Sequence, residues 1–130
     1  MILVDTSAWI EFLRDTGSRV CNRVEALIES EIAVCDPIRM EVLAGARSER
    51  HLRSLRGLLA RATLLPTAPA DYDEAAALYR ACRGEGETVR KLIDCLIGSI
   101  AIRAGAAVLH NDSDFDVLAR HTGLRVDPLD

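Results

Sequence analysis

The opening stretch Met1-Ile2-Leu3-Val4-Asp5-Thr6-Ser7-Ala8-Trp9-Ile10-Glu11-Phe12-Leu13 decides how the chain is read. Three apolar residues with β-branched members stop at an acid and two hydroxyls, and Trp9, Ile10 and Leu13 then repeat at helical spacing. That pattern predicts a buried strand turning into a helix capped by Thr6 or Ser7. The alternation continues outward. Ile32–Cys35 reads as a strand before a helix that opens with Asp36 as cap and Pro37 at its first position, carrying Ile38, Val42 and Gly45 on one stripe. Thr63–Leu65 precedes a helix whose start is crowded by Asp71, Asp73 and Glu74 and which runs to the Gly84-Glu85-Gly86 turn. Ala106–Leu109 precedes a helix over 114–120, and Arg125–Val126 is a last short strand. Further helices are expected from Ser18 to Glu29, after a Ser48 cap, and from a Thr88 cap to Ala104, closed by Gly105. Strands alternating with helices imply a short parallel sheet covered on both faces, a three-layer α/β/α domain. In such sheets ligands sit beyond the carboxyl ends of the strands, where strand order reverses, so the residues after each strand become the candidates.

The chain of 130 residues is 49% hydrophobic and 28% charged, which supports one core over residues 1–130 and excludes disordered, collagen-like and coiled-coil classes. No apolar run approaches bilayer length and no basic leader precedes Asp5, so a cytoplasmic protein without a membrane partner is expected. Cys21, Cys35, Cys82 and Cys95 form no C-x-x-C pair, so zinc and thioredoxin chemistry lack their signature and four reduced, mostly buried thiols are expected. The net charge of −4 speaks against a nucleic-acid partner only as a total. All the bases but Lys91 are arginines, and Arg47, Arg50, Arg53 and Arg56, with Arg61 beyond, are spaced to form a helical stripe suited to phosphate.

Five acids stand out. Asp5 directly follows the first strand, and Asp112 and Asp114 follow the strand ending at Leu109, which puts all three at one sheet edge if the strands are parallel. Asp94 lies among Val89, Leu92, Ile93, Leu96, Ile97 and Ile100, and Glu41 on the Ile38-Val42-Gly45 stripe, where an isolated ionised carboxylate is costly. Each alone has a plain structural reading, as a helix cap, a turn residue or, for Asp94, an ion pair with Arg90 or Lys91. Together they would repel unless a cation neutralised them, and oxygen-only ligation suits Mg²⁺ or Mn²⁺. Such an ion, singly or in a pair, supports phosphoryl transfer.

In Ile2-Leu3-Val4-Asp5-Thr6-Ser7-Ala8-Trp9, Met40-Glu41-Val42-Leu43-Ala44-Gly45, the run from Thr88 through Ile97, and Asn111-Asp112-Ser113-Asp114-Phe115, the chain resembles the PIN-domain ribonucleases, and within them the VapC toxins of bacterial type II toxin–antitoxin pairs. The four motifs occur in family order and span the chain. The resemblance implies a PIN fold and a Mg²⁺- or Mn²⁺-dependent endoribonuclease that cuts structured RNA, often tRNA, to stop translation. It also implies a homodimer, higher toxin–antitoxin assembly, and a VapB antitoxin whose tail reaches the active site. It carries the acidic quartet onto Asp5, Glu41, Asp94 and Asp112, adds Asp114 as a fifth acid, and assigns Ser7 and Thr6 as supporting hydroxyls. Asn111 departs from the Thr or Arg common before this acid, but removes no ligand.

On this reading Asp5, Asp94 and Asp112 hold the metal with Asp114 in support, and Glu41 orients or deprotonates the attacking water. Arg90, one turn before Asp94 in the expected helix, is the leading candidate for a substrate phosphate, followed by Arg47 and Arg50. The three histidines lack a Ser or Cys partner pattern, and five aromatics do not make a base-stacking platform. Two rival classes are a PIN scaffold that only binds RNA or protein, and a receiver-type signalling domain. The receiver needs a lysine after a late strand, and Lys91 falls in a helical stretch.

Overall fold

The computed structural model describes residues 1–130. Four strands, β1 (Ile2–Val4), β2 (Ile32–Cys35), β3 (Thr63–Leu65) and β4 (Ala107–Leu109), pair in parallel in the order β3-β2-β1-β4. Ile2 aligns with Ile32 on one side and Ala107 on the other, and Cys35 with Leu65. Val126 adds an isolated parallel bridge to Val108 outside β4. Seven helices connect them: α1 (Thr6–Leu13), α2 (Arg19–Leu27), α3 (Asp36–Ala44), α4 (Glu49–Leu59), α5 (Pro69–Gly84), α6 (Leu92–Ala104) and α7 (Ser113–His121). The chain steps from β1 to β3 in one direction and then returns past β1 to β4. With right-handed crossovers that reversal puts α5 and α6 on the face opposite α1 to α4, giving the three-layer α/β/α architecture. All four residues of β2 are buried, as are Leu3, Val4, Val108 and Leu109, which is why the strands read as apolar runs rather than alternating ones.

Several local expectations change. Asp5, not Thr6 or Ser7, caps α1, accepting from the Ser7 amide. Cys35 occupies the cap position of α3, so Asp36 and Pro37 are its first two helical residues. Arg47 precedes α4, whose cap is Ser48, so the arginine stripe on the helix is Arg50, Arg53 and Arg56 only. The expected helix from Thr88 starts at Leu92, with Lys91 extended at its cap position. Arg90 is therefore not one helical turn before Asp94. All four cysteines are free and buried. No helix is long and apolar enough to cross a membrane.

Candidate active site

Strand order reverses between β1 and β4, and the residues leaving these two strands form the site. Asp5 stays in line with the sheet through its amide, which donates to the Leu109 carbonyl at 2.9 Å. Its Oδ2 accepts from the Ser7 amide and, at 2.6 Å, from the Ser7 hydroxyl. Ser7 Oγ in turn accepts from the Asn111 amide at 2.8 Å, so one hydroxyl ties the end of β1 to the end of β4. Only the main chain of Asn111 is needed for this tie. His110 continues the same turn: its Nδ1 accepts from the Asp112 amide at 3.1 Å while its ring packs on Phe115. Asp112 then caps α7, its Oδ1 accepting from the Asp114 amide.

Asp94 arrives from the first turn of α6 and is 2% exposed. One carboxylate oxygen from each of Asp94, Asp112 and Asp114 lies within 4.8 Å of the others. Asp114 is 1% exposed and clamped by main chain, Oδ1 accepting from the Arg90 amide and Oδ2 from the Lys91 amide. This clamp diverts the segment before α6 from helix. Arg90 also donates from Nε to Asp114 at 3.1 Å and from Nη2 to Asp112 at 2.7 Å, and Lys91 Nζ reaches Asp112 Oδ2 at 2.6 Å and Asp94 Oδ2 at 3.6 Å. The charges respond accordingly. Burial, a shared hydrogen bond with Asp114 and the Asp5 charge push Asp94 up to about 8. Burial also raises Asp5 against the opposing Ser7 bonds. At Asp112 and Asp114 burial is outweighed by Lys91 and the Asp114 amide in one case and by the Arg90 amide, Asp94 and Arg90 in the other, so both stay below the usual carboxylate range.

Glu41 stands apart from this cluster. It is half-buried on α3, and its Oε1 accepts from the Thr6 hydroxyl at 2.8 Å, which ties it to the turn that carries Asp5. Thr6 and Glu41 open onto a cleft of about 440 Å³ walled by Ile10, Leu13, Val42 and Leu55 and edged by Arg14, Arg47 and His51. Arg47 thus belongs to the Glu41 side of the site, Arg90 to the aspartate cluster, and Arg50 to the exposed face of α4. Arg14, Lys91 and His110 were not among the sequence-derived candidates. Lys91 was visible in sequence only as a possible partner of Asp94, and Arg14 carried no signal, because nothing local predicts that α1 and α4 share a cleft.

The donors fit a hard divalent cation. All are carboxylate oxygens, and the buried Asp94 Oδ2 has no hydrogen-bond partner, an arrangement that favours a cation in the gap.

The sequence pattern that defines the PIN domain matches residues 2–121. The chain is 47% identical over 129 residues to Ribonuclease VapC11 of Mycobacterium tuberculosis, covering 96% of both proteins, and 34% identical over 125 residues to Ribonuclease VapC32 of the same organism, covering 95% and 94%. Its fold is similar to the VapBC2 complex of Rickettsia felis bound to a promoter DNA fragment, with a TM-score of 0.77 at 20% identity over 98% of both chains. It is also similar to Mycobacterium tuberculosis VapC20, described as a sarcin–ricin loop cleaving toxin, with a TM-score of 0.71 at 15% identity over 96% and 99%.

Proposed function

The chain belongs to the PIN-domain family and, within it, to the VapC ribonucleases, and from that premise we propose that it is the endoribonuclease toxin of a VapBC pair, dependent on Mg²⁺ or Mn²⁺. The observation that carries the metal dependence is the convergence of the Asp94, Asp112 and Asp114 carboxylates, with a buried Asp94 oxygen that lacks a hydrogen-bond partner and the Asp5 charge close enough to act on Asp94.

Asp5, Asp94 and Asp112 would hold one or two ions, and Asp114 would position the segment at residues 90–91 and, through it, the others. When bound, Mg²⁺ or Mn²⁺ activates water and neutralises charge on the phosphodiester. Glu41 is held by Thr6 through Oε1, which leaves Oε2 to accept the proton of the attacking water. With water rather than a ribose 2′-hydroxyl as nucleophile, the products are a 5′-phosphate and a 3′-hydroxyl. The substrate class is structured RNA, tRNA first among the pools to test. No Trp, Tyr or Phe lines the cleft beside Glu41, and the exposed Tyr72 lies in the hollow of α5 and α6, so recognition at the site rests on shape and phosphate contacts rather than base stacking, with Arg47 and Arg14 beside Glu41 to make them. A VapB antitoxin would neutralise the enzyme over the same cleft, whose apolar walls suit an amphipathic segment. A homodimer would form through the apolar hollow at the starts of α5 and α6, where Tyr72 and Leu92 are 60% and 61% exposed.

The decisive experiment incubates antitoxin-free protein with total tRNA and rRNA in Mg²⁺ or Mn²⁺, against EDTA and Asp94→Asn controls, with end-group analysis. Discrete fragments with 5′-phosphates, absent from both controls, are expected. Folded, metal-binding protein that cuts neither pool would favour a PIN scaffold that only binds.

A further inference from the structure

We propose that Lys91, assisted by Arg90, is a tethered cation that occupies the divalent-ion site and yields it to the ion, so that this residue sets the metal affinity. The inference rests on the metal site proposed above. Both oxygens of Asp112 are already engaged by side-chain cations, Oδ1 by Arg90 Nη2 at 2.7 Å and Oδ2 by Lys91 Nζ at 2.6 Å. The Lys91 ammonium also leans toward Asp94 Oδ2 at 3.6 Å, the buried oxygen that lacks any hydrogen-bond partner. A divalent ion held by Asp112 and Asp94 would need the carboxylate oxygens this ammonium now faces and would repel it there, so the two cations would compete for one site.

The tether is built to let go. The side chains of Lys91 and Arg90 are 50% and 64% exposed, whereas their main-chain amides stay bound to the buried Asp114 carboxylate. The head groups can therefore swing into water without disturbing the backbone that positions the acids. Residue choice points the same way. Every other basic side chain is arginine, whose planar fork suits fixed bidentate pairs, while this position carries the chain's one lysine, a compact charge on a flexible stem. Metal-free, the two cations offset the mutual repulsion of the acids. Once displaced, they stand at the rim of the cluster, where a substrate phosphate would approach.

That single ε-amine makes the exchange directly readable. EDTA-stripped full-length protein is acylated with an amine-reactive reagent with and without Mn²⁺, and modification at Lys91 is followed by mass spectrometry, with the Met1 α-amine as internal control. Mn²⁺ affinity is measured in parallel by calorimetry for the wild type, Lys91→Gln and Lys91→Arg. The expected results are several-fold faster acylation of Lys91 in Mn²⁺ with Met1 unchanged, and Mn²⁺ binding about ten-fold tighter in Lys91→Gln, a gain of about 1.4 kcal/mol, but not in Lys91→Arg. A wild type that binds no Mn²⁺ overturns the metal site itself. A wild type that binds Mn²⁺ while Lys91 reactivity stays unchanged or falls, or a Lys91→Gln affinity equal to or weaker than wild type, overturns the tethered-cation proposal and leaves the metal site standing.

Discussion

Replacing Asp94 by Asn tests the electrostatic frustration of the site without activity as the readout. The Asp94 carboxyl is buried and its pKa is raised from 3.8 to about 8, so its ionised form is disfavoured in the folded chain. Because the folded value lies above the unfolded one, the favourable contribution is complete below the unfolded pKa and is lost as pH rises through the folded one. At pH 7 roughly three units separate the solution from the unfolded value, and at about 1.4 kcal/mol per unit the penalty is on the order of 4 kcal/mol. Water at the open rim and relaxation around the charge screen part of it, leaving on the order of 2 kcal/mol. Metal-free Asp94→Asn should therefore melt above metal-free wild type by roughly 6–10 °C near pH 7, with a wider gap at pH 8 and the gap closing toward pH 4. In Mn²⁺ at a hundred times its Kd the wild type gains about 2.7 kcal/mol and the variant gains nothing. Thermal melts in EDTA and in Mn²⁺ across that pH range check both parts. An Asp94→Asn protein that melts below wild type in EDTA at pH 8, or that responds to Mn²⁺ as wild type does, would refute the reasoning.

Glu41→Gln should lower kcat by about 10²–10⁴-fold while leaving Mn²⁺ affinity unchanged, because Glu41 lies outside the aspartate cluster; single-turnover cleavage and calorimetry separate the two. Ser7→Ala removes the hydroxyl shared by Asp5 and the Asn111 amide, and should cost about 1–3 kcal/mol in chemical denaturation as well as weakening Mn²⁺ binding. Gly98→Ala should stabilise by about 0.5–1 kcal/mol, since a Cβ there meets Leu118, Leu78 and Leu124 at 3.5–3.9 Å, ordinary packing distance; a lower melting temperature would show that the helix needs that glycine.

The strands and most helices are legible because local signals and tertiary structure agree. Strands buried on both faces must be continuous apolar runs, and Ser18 and Ser48 cap the helices their positions suggest. The start of α6 is not legible, because Thr88 looks like a cap while the amides at 90 and 91 turn to Asp114, far away in sequence. That long-range clamp outweighs local capping and redirects Arg90 from the expected neighbour Asp94 to Asp112 and Asp114. The acids were recognisable one by one as polar residues in apolar surroundings or at strand ends; the parallel strands bring Asp5 and Asp112 to one sheet edge, whereas Asp94 joins Asp112 and Asp114 from the first turn of α6. Of their cationic partners, the pairing of Lys91 with Asp94 was legible from spacing, but that of Arg90 and Lys91 with Asp112 and Asp114 was not, since it depends on where the loop before α6 meets the loop after β4. The cleft beside Glu41 was equally hidden, being shared among helices α1, α3 and α4.

Asp5 and Asp112 each serve as a helix cap as well as a candidate ligand, and this double duty has a genetic consequence. Asparagine caps a helix about as well as aspartate, and an aspartate codon becomes an asparagine codon by one G-to-A transition. Under selection against toxicity, Asp-to-Asn replacements at these two positions should be recovered as folded, inert proteins, whereas alanine replacements should also lose stability. Such alleles would still sequester antitoxin, so in a cell carrying an intact copy they should be dominant and harmful rather than silent, which co-expression and colony counts can score.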